Sequence, residues 1–203
     1  PARRESRIAR LMTDLARTAC AKPSIEVFLH ALLGRWVAHL HPVYVNALTC
    51  MKSGRSLARR LLPQDLDYLW LPYASPGYAL GRLLQRRLLS RREPALIFLE
   101  NHGFVLSGDD EAGLYRLCGR VLRPLERHFD LPALTAPTWP DRPVLAVPGV
   151  RFFAASSPLL AAALAEPCSR EFFSSGALYS DQVVYCGERP LYVETRTTAQ
   201  ELR

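Results

Sequence analysis

The 203-residue sequence has no apolar run near the roughly 18 residues that a membrane helix requires, so no membrane partner is expected. Its first residues, Pro1 to Arg7, lack an initiator Met and lead into no apolar signal core. Either the start is processed or a longer N-terminus precedes it. No Cys-x-x-Cys pair occurs among Cys20, Cys50, Cys118, Cys168 and Cys186. Their odd number and wide scatter argue for free thiols in a reducing compartment, hence a cytoplasmic protein. Lysine is nearly absent, with Lys22 and Lys52 the only two, so the net charge of +7 is almost all arginine. The arginines form pairs (Arg59-Arg60, Arg86-Arg87, Arg91-Arg92) and not a basic stripe with interleaved aromatics, so no nucleic-acid partner is expected. Solvated helix faces or pockets for anionic ligands suit such pairs better. Internal repeats and low-complexity segments are also missing.

What is present fits an ordinary globular chain with one well-filled core and a small appendage. Residues 5 to 18 place Ile8, Leu11, Met12 and Leu15 at helical spacing. Ser24 can cap a helix from Ile25 to Leu33, ended by Gly34. A buried strand around Val37 and Ala38 ends at Pro42. Helices are expected over Tyr44 to Cys50, Gly54 to Leu62 and Tyr78 to Leu89, with an extended stretch at Leu69 to Tyr73. Ala95 to Leu99 reads as a fully buried strand and Phe104 to Ser107 as another, followed by a helix from Glu111 to about His128 capped by Asp109 or Asp110. Residues 131 to 143 hold Pro132, Pro137, Pro140 and Pro143 and read as a stiff linker. Beyond it come a strand (Val150 to Ala154), a helix (Pro158 to Ala165) and a hairpin of residues 182 to 186 and 191 to 194.

One stretch carries chemistry. A strand's period of two points His39 and His41 to the same face, and two imidazoles at a strand tip can hold a divalent metal if a third ligand arrives. Such a pair alone is more often a set of half-buried or surface histidines. His102, after the longest buried strand and before Gly103, is the candidate third ligand. Three imidazoles without a fourth protein ligand describe a catalytic metal site with an open position. Glu26, in the first turn of its helix, is a candidate general base beside that metal, although a first-turn glutamate also serves the helix dipole. His30, one turn on, reads as a hydrogen-bonded core histidine.

Four blocks then agree in order and spacing across residues 20 to 130: Pro23-Ser24-Ile25-Glu26, His39-Leu40-His41-Pro42, Leu71-Pro72-Tyr73-Ala74 with Gly77, and Glu100-Asn101-His102-Gly103. Together they resemble the class II aldolase/adducin family. The resemblance implies an α/β fold, a three-layer α/β/α sandwich around a largely antiparallel sheet, assembled as a homotetramer. It implies a Zn2+ ion, or another divalent transition metal, on His39, His41 and His102, with Glu26 as the acid/base. Ser24 is implied as a substrate contact; Asn101 reads either as a substrate contact or as a residue that orients the His102 loop. The implied activity is a metal-dependent lyase, an aldolase making or breaking a carbon–carbon bond of a ketose or ketose phosphate through a metal-stabilised enediolate. A dehydratase or epimerase of the same family, or an adducin-like interaction module, are the alternatives.

Two features depart from the sugar-phosphate aldolases. Their Gly-Asn-(Val/Ile)-Ser phosphate loop has no counterpart in residues 1 to 20, and Ile25 stands where some have a second serine. Either a missing N-terminal part carries the phosphate contacts or the substrate differs. The expected organisation is a metal-binding core over residues 1–138, then a small α+β C-terminal extension over 139–203 that packs on it.

Overall fold

The computed structural model describes residues 2–15, 24–131, 138, 145–147, 150–152, 157–179 and 182–183. The chain separates into two compact units, Pro1–Phe129 and Asp130–Arg203.

In the first unit β1 (Trp36–Leu40), β2 (Tyr68–Leu71), β3 (Leu96–Leu99) and β4 (Gly103–Gly108) form a four-stranded sheet in the order β1-β4-β3-β2. The β1–β4 and β3–β4 pairs are antiparallel and the β2–β3 pair is parallel, so the sheet is mixed. A parallel pair cannot be joined by a tight turn, and the chain crosses from β2 to β3 through α5 (Tyr78–Leu88).

Strand alternation divides the apolar side chains between two cores. Trp70, Leu96, Phe98, Phe104 and Leu106 pack against Val45 and Leu48 of α3 (Val43–Cys50), Leu57 of α4 (Gly54–Leu61) and Val121 and Leu125 of α6 (Glu111–Phe129). Leu71, Ile97, Leu99 and Val105 pack on the opposite face against Leu29 of α2 (Val27–His30) and Leu80 and Leu84 of α5. Helices therefore cover both faces, the expected three layers. Burial on both sides explains why β3 and β4 read as unbroken apolar runs.

Most expected elements occur within a residue or two of their places, and Asp110 is the cap of α6, its Oδ1 accepting from the Gly113 N–H at 2.7 Å. Three expectations need correction. β1 is an edge strand, half-buried and paired only with β4, because the sheet order leaves its other side without a strand. The helix expected from Ile25 to Leu33 is a single α-turn. The Val27, Leu29, Leu32 and Leu33 N–H groups donate three residues back, so the backbone around that turn winds more tightly than an α-helix. His30 is exposed, since that short turn buries Leu29 and turns the next residue outward.

The N-terminal helix α1 runs Ala2–Leu15, and the Arg4 guanidinium lies 5.2 Å from the centre of the Tyr78 ring on α5. In the second unit β5 (Leu145–Val147) and β6 (Val150–Phe152) pair antiparallel, and α7 (Pro158–Ala165) and α8 (Ser169–Ser174) follow. The proline-rich linker lies almost wholly outside the described residues. So does the expected hairpin, of which only Gln182 and Val183 are described, with helical backbone.

The glycines mark where packing leaves no room. A Cβ on Gly54 would lie 2.0 Å from the Leu48 carbonyl oxygen, whereas one on Gly119 of α6 meets nothing closer than 3.8 Å. Gly54→Ala is expected to destabilise by at least about 1–3 kcal/mol, as overpacking against backbone does. Gly119→Ala should stabilise by about 0.5–1 kcal/mol through helix propensity. Urea unfolding midpoints of the two variants, moving in opposite directions, check the assignment.

Candidate metal centre

The strand period that puts Val37 against the core shared by α2 and α5 also turns His39 to that face, where α2 brings Glu26. His41 follows the end of β1, and Pro42 starts α3 directly after it. His102 belongs to the turn between β3 and β4, closed by its own N–H donating to the Leu99 carbonyl at 3.1 Å. Two strand ends and one helix start thus converge.

The three rings form a nearly equilateral triangle. Ring centroids are 4.7 Å apart for His39 and His41, 4.9 Å for His39 and His102, and 4.8 Å for His41 and His102. One ligand nitrogen from each lies within 4.8 Å of the others, and His39 Nε2 is 3.0 Å from His41 Nε2. The Glu26 carboxylate spans two of them, with Oε2 at 2.9 Å from His39 Nδ1 and Oε1 at 3.1 Å from His102 Nε2. The side chains of His39 and His102 are only 5% and 3% exposed, while Glu26 keeps 23%. The carboxylate is therefore the wetter edge of the cluster.

Electrostatics follow from that burial. Desolvation alone would raise the Glu26 carboxyl, but hydrogen bonds from His102 and His39 and their charge outweigh it, holding the group well below the usual carboxylate range. Burial pushes His39 below its ordinary value, against the opposing pull of Glu26. The result is an ionised carboxylate beside a neutral imidazole. With Nδ1–H donated to Glu26, His39 keeps the Nε2 lone pair that a metal requires.

Imidazoles at this spacing fit a divalent metal. Zinc is held by imidazole nitrogen at about 2.0–2.1 Å, and these three residues could hold such an ion. Three ligands, with no fourth grouped beside them among the described residues, would leave a position for a water or substrate oxygen. Among the described residues this is the one group of His, Cys, Asp and Glu side chains placed to hold an ion.

Of the remaining sequence candidates, Ser24 lies on the turn before α2. Its Oγ accepts from the Glu26 N–H at 3.2 Å and its carbonyl accepts from the Val27 N–H at 3.1 Å, so it shapes the backbone that presents the carboxylate. Asn101 adjoins His102, with its side chain hydrogen-bonded to the Cys50 thiol. Tyr73 is 59% exposed.

Three glycines fix the geometry; sequence reasoning singled out Gly103 and Gly77 and passed over Gly81. A Cβ on Gly103 would lie 2.5 Å from His41 Cδ2, and one on Gly81 would lie 2.5 Å from the Phe28 Cβ. Gly81 thereby lets α2 approach α5 closely enough for Glu26 to reach the histidines. Gly77, at φ +94, brings its turn beside Ile25, next to Glu26. The signal for Gly81 was available, because a glycine inside a helical pattern costs stability unless something needs the space.

A mixed sheet between helices, with three imidazoles and a carboxylate gathered at its strand ends, defines an aldolase-type α/β domain with a possible metal site. Residues 4–121 match the Class II Aldolase and Adducin N-terminal domain family, and the chain belongs to that family. It is similar to the N-terminal class II aldolase domain of a conserved protein from Thermoplasma acidophilum. The identity is 21% over 62% of this chain and 57% of that one, with a TM-score of 0.54, a likeness of fold. It is also 26% identical over 110 residues to the uncharacterized oxidoreductase YuxG of Bacillus subtilis (strain 168), covering 54% of this chain but 16% of that protein. No described helix is long and apolar enough to cross a membrane.

Two predictions arise from the site. Gly103→Ala must displace the His41 ring, so zinc affinity measured by competition with a chromogenic chelator should fall by about 10-fold or more. A wild-type affinity would show that His41 is not held by this contact. The second concerns acid. Folding holds Glu26 below its ordinary 4.5 and His39 below its ordinary 6.5, so the unfolded chain takes up each proton first. Stability in chelator-containing buffer should therefore be greatest above the imidazole range and fall as pH drops through it and then through the carboxyl range. Glu26→Gln should flatten the lower part of that decline, read from urea midpoints.

Proposed function

We propose that this chain is the catalytic domain of a zinc-dependent lyase that makes or breaks a carbon–carbon bond of a ketose or ketose phosphate. The observation that carries the reading is the gathering of three imidazoles and one ionised carboxylate at a single point, in a chain of this family. His39, His41 and His102 would hold the metal. Bound there, it would polarise a carbonyl oxygen and offset the negative charge of an enediolate.

The protein's own groups supply the rest. Glu26, ionised and partly open to solvent, takes a proton from the substrate side and returns it to the carbon left when the bond breaks. His39 and His102 orient that carboxylate through the 2.9 Å and 3.1 Å contacts. Their burial keeps water off the inner side of the site, which strengthens each charge interaction there. Ser24 sets the turn that aims Glu26, and a substrate oxygen can also reach its exposed hydroxyl. The phosphate, if the substrate carries one, would need contacts from elsewhere. We place the protein in the cytoplasm as a homotetramer, following the family resemblance and the odd number and wide scatter of its cysteines.

The oxidoreductase relative does not favour a second reading. The match covers 16% of that protein, and the 11 glycines of this sequence include no Gly-x-Gly pair of the kind a dinucleotide fingerprint requires. An adducin-like module would have no use for a complete three-histidine set.

Metal analysis of the purified protein is expected to give close to one zinc per chain, and His102→Ala should abolish it together with retro-aldol turnover in a screen of ketoses and ketose phosphates. Glu26→Gln should keep the metal and lower turnover by about 10²–10⁴-fold, the usual worth of a general base. A folded wild-type protein that takes up no metal would remove the lyase reading in favour of the interaction module. Zinc without turnover of any ketose would move the assignment to the dehydratase or epimerase branch.

A further inference from the structure

The turn bearing His102 is fastened to a helix by the residue before it. Asn101 has φ +54, the left-handed region that asparagine enters more readily than other side chains. Its N–H donates to the Thr49 carbonyl at 3.1 Å, a group in the last turn of α3 that no helical N–H can serve. Its side chain hydrogen-bonds the Cys50 thiol, which burial pushes up in pKa against the hydrogen bonds from Thr49 and Asn101. Thr49 is fully buried and Cys50 is half-buried, so the attachment point is part of the protein's interior. Helix α3 begins directly after His41 and Pro42. One eight-residue helix therefore meets a candidate ligand at its start and the turn of another at its end.

We propose that Asn101 is a positioning residue that holds His102 in ligand geometry by latching the β3–β4 turn to the C-terminal end of α3. This rests on the metal reading given above, and of the two readings of Asn101 it takes the orienting one and gives it an anchor, the end of α3. Both the backbone donor and the side chain of Asn101 are engaged with α3. The left-handed backbone at 101 also fixes the direction in which the chain enters His102. A residue that resists φ > 0 at this position would rotate the turn and carry the imidazole away from His39 and His41.

Three variants test it: Asn101→Ala, Asn101→Gly, which accepts the left-handed backbone without the side chain, and Cys50→Val, which fills space without a hydrogen bond. Zinc affinity from chelator competition is expected to fall at least about tenfold in Asn101→Ala, the usual effect of losing a group that orients a ligand. Asn101→Gly should recover part of that loss. Cys50→Val should weaken binding less than Asn101→Ala and add little to it in the double variant, as residues in one network do. The visible spectrum of the cobalt-substituted protein should shift in Asn101→Ala and return toward wild type in Asn101→Gly.

Wild-type zinc affinity and an unmoved cobalt spectrum in Asn101→Ala would overturn the proposal. Should the wild-type protein take up no metal, the lyase reading fails separately, and the latch is read from the ring-nitrogen NMR shifts of His102 in metal-free protein. Shifts moved by Asn101→Ala and restored by Asn101→Gly support it, and unmoved shifts overturn it.

Discussion

The site depends on one carboxylate reaching two imidazoles across the face of a sheet. Glu26 comes from a turn, His39 from a strand and His102 from the hairpin next to it, and the two contacts of 2.9 Å and 3.1 Å draw them together. Charge explains why this arrangement is stable. Each ring lends the carboxylate a hydrogen bond, the two together with the rings' charge outweigh its desolvation, and the carboxylate in turn leaves Nε2 of His39 for an ion. If either partner were removed, the other would be left buried with an unmet need.

Close backbone approach makes that contact possible. α2 comes near α5 because position 81 has no side chain, and the β3–β4 turn comes near His41 because position 103 has none. In both places a single methyl group would push apart elements that carry site residues. Where a helix is only one turn long, its placement rests on such fits and on Leu29, which is fully buried.

Much of this was legible in the sequence. Alternation identified β3 and β4 and turned His39 and His41 to one face, and helical spacing with the Asp110 cap located α6. The third histidine and the carboxylate were candidates from their places after a buried strand and at a helix start, and the family blocks supported both. Less legible was the edge position of β1, because Val37 and Ala38 look the same in a central strand as in one that leans on two cores from the rim. The length of α2 was also hidden. Its composition suits a longer helix, but the chain winds more tightly on either side of the one α-turn. Cys50 has apolar neighbours in the sequence, but it is half-buried and its thiol is hydrogen-bonded to Asn101 beside His102. That role comes from a partner 51 positions away, which no local pattern can reveal.

The two cores are unequal. The face of α3, α4 and α6 holds the larger cluster, including Phe98 and Phe104, while the face carrying α2 has the smaller one. Local opening in proteins begins where few apolar groups anchor a segment. In this molecule that segment is α2, whose release would take Glu26 into solvent while all three imidazoles stayed on the sheet and its hairpin. Proton transfer and ion retention thus rest on parts of different durability, and amide exchange through this domain would resolve into a loosely protected turn and a firmly protected ligand platform.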